Sequence, residues 1–188
     1  MAGMSPRTVR GSGLKNQGAL LLLLLLVLCF LSAHGEEPGL YDYILTDGKG
    51  KEVTLAPYRG RILVLEFFAT WCPPCKKDLP RTASLQEKYP TNKVTFLAVS
   101  ADGSSNTAQM VPRFIEEMGL KIPVLVGGAL LIDRYTGIEE RTGRRIVLPQ
   151  TYVFGGDGEM LLRLVGEQKT KAKQLSDELD QILKEAAS

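Results

Sequence analysis

Histidine is almost missing from this chain: one occurs in 188 residues, His34. Cysteine is scarce too, with Cys29, Cys72 and Cys75 the only three. A structural zinc site takes four ligands, usually two cysteine pairs or a pair plus histidines. Ligand count therefore excludes zinc, barring a dimer that shares two pairs. A disulfide-stapled scaffold needs more cysteines, bridged over longer loops. Acidic residues are absent before Glu36, where Arg7, Arg10 and Lys15 supply the only charges. Beyond that point 20 basic residues face 21 acidic ones, a net charge of −1 that gives no reason to expect a nucleic-acid partner. With 44% hydrophobic and 23% charged residues, the composition is that of a globular domain and argues against disorder. No internal repeat is present.

The chain also lacks an apolar run of membrane-spanning length. The longest extends from Ala19 to Leu31, short of the roughly 20 residues a spanning helix needs. A basic start, this apolar run and the small-residue segment Ser32-Ala33-His34-Gly35 have the order of a secretory signal. Residues 1–35 are accordingly expected to be a signal peptide cut before Glu36. The alternatives are an N-terminal membrane anchor and lipidation at Cys29. Each places residues 36–188, one domain, outside the cytoplasm, in the periplasm or secreted.

Within that domain the two remaining thiols stand three residues apart, in Trp71-Cys72-Pro73-Pro74-Cys75. Such a pair can close a small disulfide ring and reopen it, carrying two electrons. The run before it, Ile62–Phe68, is almost wholly apolar and suits a central strand covered on both faces. A helix is expected from the cysteine segment towards Tyr89, with Leu79, Leu85 and Tyr89 inward, because proline is well tolerated in a first helical turn. Cys72 falls at the helix start, where free N–H groups and the helix dipole favour a thiolate, and is expected to be the exposed, attacking sulfur. Cys75, one turn in, is the shielded resolving thiol. A pair of structural core cysteines is the plain alternative.

Elsewhere, strands are expected at Tyr41–Leu45, Glu52–Leu55, Val94–Ser100, Ile122–Val126, Pro149–Phe154 and Glu159–Val165. The last two form a hairpin about Gly155-Gly156-Asp157-Gly158. Helices are expected at Ala108–Met118, with Met110 and Phe114 on its apolar spacing, at Gly128–Tyr135 and at Lys169–Ala187. Residues 136–145 read as a polar, arginine-rich loop; Arg141, Arg144 and Arg145 either face the cysteines or simply meet solvent. The fold class is α/β: a central mixed sheet flanked by helices, ending in a hairpin and a closing helix.

Glu66 is the one charge inside the apolar strand. A buried carboxylate is costly without a task or a partner. With a raised pKa it would take the proton of Cys75; otherwise it reaches solvent or pairs with a lysine. Pro149, read from its neighbours alone, marks a strand entry.

The segment ILVLEFFATWCPPCKKDLP, Ile62–Pro80, resembles the active-site segment of thioredoxin-like proteins. It is most similar to the extracytoplasmic TlpA/ResA/DsbE group of thiol–disulfide oxidoreductases. The likeness runs from about Leu40 to the C-terminus, including Tyr58-Arg59-Gly60 and Leu148-Pro149-Gln150-Thr151. It implies a Cys72–Cys75 disulfide, a cis Pro149 that faces it, and a substrate-binding surface of Trp71, Pro73, Pro74, Leu148 and Pro149. Glu66 matches the buried acid of thioredoxins. Asp78 matches an acid that relatives carry near the second cysteine; a solvated helix residue is its alternative. Gln150 departs from the threonine of many relatives. No cofactor is implied. The implied partners are disulfide-containing exported proteins, for example in cytochrome c biogenesis, and a membrane electron donor for re-reduction. The opposite, oxidising direction uses the same residues. A peroxiredoxin-type peroxidase lacks support, since Thr70 lies two residues before Cys72 where that motif requires three. A non-catalytic binding module of the same fold is the alternative of another class.

Overall fold

The computed structural model describes residues 39–102, 107–127, 129–136 and 147–186. The leader with Cys29 and His34, and the arginine-rich loop with Arg141, Arg144 and Arg145, lie outside the described residues. Among the described residues no helix is long and apolar enough to cross a membrane.

Seven strands form one mixed sheet in the order β2-β1-β5-β4-β3-β6-β7. The strands are β1 (Ile44–Asp47), β2 (Glu52–Thr54), β3 (Ile62–Phe68), β4 (Val94–Ser100), β5 (Val124–Val126), β6 (Gln150–Phe154) and β7 (Met160–Val165). The helices are α1 (Pro73–Ser84), α2 (Thr107–Met118), α3 (Ala129–Thr136) and α4 (Lys171–Glu185). The α/β architecture expected from the sequence is the one observed.

All seven residues of β3 are buried. The strand pairs in parallel with β4 and antiparallel with β6, so its backbone groups have partners on both sides. Alternation along β3 divides the core in two. Ile62, Val64 and Phe68 face a cluster with Cys75 and Leu79 of α1, Val111 and Phe114 of α2, and Leu175 and Leu179 of α4. Leu63, Leu65 and Phe67 face a second cluster with Leu45, Leu55, Leu131, Tyr152 and Phe154. Each such buried aliphatic or aromatic side chain contributes about 1.5–3 kcal/mol.

Local chemistry moved several boundaries. Leu40–Asp42 is a 3-10 turn and the first strand starts only at Ile44. Asp42 draws the chain into the turn by accepting the Gly39 N–H at 3.0 Å. Helix α1 ends at Ser84 and a 3-10 turn, Leu85–Lys88, replaces its expected continuation. There the Ser84 hydroxyl donates to the Arg81 carbonyl at 2.8 Å, competing with the helix ladder. In α2 it is Val111, not Met110, that is buried. The hairpin turn approaches the turn before β3 closely: Gly60 N–H donates to the Gly156 carbonyl at 2.9 Å, and Tyr41 Oη to the same oxygen at 3.0 Å. A Cβ on Gly156 would lie 2.8 Å from the Gly60 carbonyl carbon.

Candidate active site

Helix α1 opens directly after β3, and Cys72 is its N-cap. Pro73 and Pro74 occupy the first turn, where no intrahelical N–H is required. Cys75 donates its N–H to Cys72 Sγ at 3.2 Å. The two cysteines form a disulfide with a Cα–Cα separation of 5.3 Å. The expectation of an exposed Cys72 is corrected in this oxidised form. Cys72 is 4% exposed and Cys75 fully buried, because the ring folds Sγ against the apolar cluster. Trp71, 66% exposed, and Pro73 are the solvent-facing residues of the segment, with Pro74 half-buried.

Asp102, just past β4, holds the approach to the cysteines. Its two carboxylate oxygens accept the Thr70 N–H at 3.2 and 3.0 Å and the Thr70 hydroxyl at 2.8 Å. The Ser100 hydroxyl adds a further bond at 2.7 Å. Three donors on one carboxylate, one of them shared by both oxygens, fix Thr70, and with it the exit of the chain into Trp71 and Cys72. Sequence reasoning passed over this residue, since Ala101-Asp102-Gly103-Ser104 has the composition of an ordinary loop.

The Leu148–Pro149 bond is cis, as the resemblance implied. Register sets it at the end of β3 that leads to the cysteines: the β3–β6 pairing ends at Phe67 opposite Gln150, so Pro149 stands where β3 gives way to Ala69–Cys72. Leu148 packs against both apolar clusters, while Val147 is 56% exposed. Gln150 braces this entry. Its Nε2 donates to the Val147 carbonyl at 2.8 Å, and its Oε1 accepts from Tyr152 Oη at 2.6 Å and from Arg163 Nη2 at 3.1 Å.

Behind the ring lies a buried ionic cluster. Glu66, Asp78 and Lys171 are each at most 1% exposed. Lys171 Nζ donates to Glu66 Oε1 at 3.1 Å and to Asp78 Oδ2 at 2.5 Å. The Thr151 hydroxyl donates to the other oxygen of Glu66. Glu66 shares its face of β3 with Val64 and Phe68, which belong to the same apolar cluster as Cys75; Asp78 is one turn after Cys75 on α1. Burial raises the Glu66 carboxyl from 4.5 to about 7, against the opposing pull of Lys171 and Thr151, and Asp78 adds to the rise. The two sequence alternatives for Glu66 thus coexist, a raised carboxyl and a lysine partner. Asp78 is not a solvated helix residue. Lys171 was not foreseen, because lysines on an amphipathic closing helix read as its wet face. The available signal was a cation at a helix N-terminus, where the dipole disfavours it.

A redox ring, a thiol-side carboxyl and a cis-proline strand on one sheet end constitute a site for thiol–disulfide exchange. Comparison with known proteins agrees. The model of the AhpC/TSA family matches residues 40–162. The chain is 33% identical over 142 residues to thiol-disulfide oxidoreductase ResA of Bacillus thuringiensis subsp. konkukian (strain 97-27), covering 75% of each protein. Among solved structures, StoA of Bacillus subtilis superimposes with a TM-score of 0.56 at 26% identity, over 72% of this chain and 93% of that one. A thioredoxin-family thiol:disulfide interchange protein of Chlorobium tepidum TLS gives 0.60 at 22% identity, over 80% and 98%, and speaks for the fold alone. The chain belongs to the AhpC/TSA family, and it is a thiol–disulfide oxidoreductase with a thioredoxin-like fold.

Proposed function

We propose that this protein reduces disulfides of exported proteins outside the cytoplasm, residues 36–188 acting as the redox domain and residues 1–35 as its export signal or membrane anchor. The observation that carries the reading is the Cys72–Cys75 ring at the start of α1, backed by a buried carboxyl with a raised pKa. In the dithiol form, Cys72 thiolate attacks one sulfur of the substrate disulfide. The second substrate sulfur leaves with the electron pair and takes a proton from water. Cys75 gives its proton to the Glu66 carboxylate and attacks the Cys72 sulfur. The Cys72–substrate bond breaks, the released substrate sulfur leaves with the electron pair and takes a proton from water, the substrate departs as a dithiol, and the ring is closed. Two electrons have passed to the substrate, and a membrane-bound dithiol donor returns them.

Trp71, Leu148 and Pro149 form the wall on which an extended substrate segment lies, with Pro73 and Pro74 keeping the ring rigid. Asp78 supports the resolving cysteine. A substrate of this kind is the cysteine pair of an apocytochrome c before haem attachment. An equilibrium titration of Cys72–Cys75 against dithiothreitol tests the direction of electron flow. A potential near or below about −250 mV supports reduction, and one near about −120 mV, typical of strong oxidants, overturns it. Insulin-disulfide reduction tests the catalytic assignment. Cys72→Ser is expected to abolish turnover, and persistence of turnover in that variant would remove Cys72 from the role of nucleophile.

A further inference from the structure

We infer that Gln150 is a positioning residue of the substrate wall: its amide holds the Val147 carbonyl, and so keeps the Val147 side chain out in solvent as an apolar contact for the residue beside the substrate's cysteine. The inference deepens the reading above and rests on it for the segment 147–149 as the place where substrate lies.

The segment has few side chains left to offer. Leu148 is half-buried and packs against both apolar clusters, and Pro149 is buried. Val147 alone of the three stands out in solvent. A single exposed valine is ordinary on a protein surface. What sets this one apart is that a buried side chain grips its backbone. Gln150 Nε2 reaches back over the cis bond and donates to the Val147 carbonyl at 2.8 Å.

The other end of that amide is held as firmly. Gln150 Oε1 lies 2.6 Å from Tyr152 Oη, 3.1 Å from Arg163 Nη2 and 3.3 Å from Arg163 Nε. The Tyr152 hydroxyl is also 3.2 Å from the Tyr135 carbonyl, which ties the brace to α3 as well as to β6 and β7. These partners settle the direction of the amide. Arg163 supplies only donors and the Val147 carbonyl is only an acceptor, so a flipped amide would oppose like groups at both ends. The position therefore asks for a side chain of this length with one donor end and one acceptor end. Glutamate keeps Arg163 and Tyr152 but sets an oxygen against the Val147 carbonyl. Methionine satisfies neither.

A polypeptide lying along the segment meets an aliphatic surface at Val147. The exposed indole of Trp71 stands at the same end of the sheet. The substrate chemistry that fits is an extended segment with an apolar residue next to its cysteine.

Two synthetic peptides test this, each with one internal disulfide and differing only in Leu or Ser beside one cysteine. The wild type is expected to favour the Leu peptide about five-fold in kcat/KM, through KM, with kcat equal to within about two-fold. Gln150→Glu is expected to bring the preference below about two-fold by raising KM for the Leu peptide. Its added charge meets both peptides alike and cancels in the ratio. Val147→Ser is expected to do the same, and the double variant to lose nothing further. Equal treatment of the two peptides by the wild type would overturn the proposal, as would a folded Gln150→Glu protein that keeps the preference. A loss carried by kcat, or shared equally by both peptides, would place the effect in the fold or the ring and also overturn it. A measurement on the wild type covers a Gln150→Glu protein that does not fold. The Gln150 side-chain amide protons are expected to exchange with solvent at least about ten-fold more slowly than those of an exposed glutamine, and exchange at the exposed rate would overturn the brace. The same peptides as dithiols read the preference against the oxidised protein. A preference seen only in that direction would overturn the reduction reading and support the role of Gln150.

Discussion

Replacing Glu66 with glutamine changes how stability depends on pH, and the size of the effect follows from burial. The carboxyl ionises at 4.5 in an open chain and at about 7 in the fold. A raised acid favours the folded protein while protonated. That contribution is fully present below pH 4.5 and is lost as pH rises through 7. At roughly 1.4 kcal/mol per pH unit, wild-type stability falls by about 3 kcal/mol between pH 4 and pH 8 from this group alone. Asp47 and Asp180 act in the opposite sense. Hydrogen bonds hold both carboxyls low, so their contribution is present above the usual carboxylate range and lost as pH falls. Both are half-buried and common to the two proteins, so they cancel in the difference. Urea unfolding of the oxidised proteins, in which neither cysteine of the ring titrates, measures that difference. With a slope of about 2 kcal/mol per molar, the Glu66→Gln midpoint relative to wild type should rise by about 1.5 M from pH 4 to pH 8. A difference constant to within about 0.5 kcal/mol would refute the reasoning. It would mean that Lys171 and Thr151 fully offset the cost of burying the charge.

Asp102→Ala removes the acceptor of four hydrogen bonds around Thr70; we expect a loss of about 2–3 kcal/mol in urea unfolding and a larger KM for insulin. Asp102→Asn should recover part of both. Trp71→Ala removes an exposed side chain, so stability should stay within about 0.5 kcal/mol while KM for a protein disulfide rises several-fold. An unchanged KM would take Trp71 out of the substrate surface.

The parts of the fold that were legible in the sequence are those whose signal is local. Ile62–Phe68 announces a doubly covered strand by being apolar throughout, and Cys72-Pro73-Pro74-Cys75 announces a redox turn by spacing. Glu66 stood out because a carboxylate within such a strand has no ordinary reason to be there. Boundaries failed where a short side chain bonded its own backbone, at Asp42 and at Ser84. The partners of the site were illegible for a different reason. Lys171 and Asp102 acquire meaning only through residues distant in the chain, and their immediate neighbours are those of a wet helix and a polar loop. The exposure expected of Cys72 failed because, in the closed ring, the residue packs within the apolar cluster.

The long reach between β3 and β6 also bears on how the protein is made. Thr151 follows Glu66 by 85 positions, and Lys171 follows Asp78 by 93. A chain synthesised or threaded through a membrane from its N-terminus presents both thiols well before the strand and helix that enclose the acid behind them. Closing contacts so far apart is slow compared with forming α1. During that interval the cysteine pair is an ordinary exposed dithiol, open to any oxidant. The finished site is thus a late product of folding, since the final helix carries the lysine that completes the ionic cluster with Glu66 and Asp78.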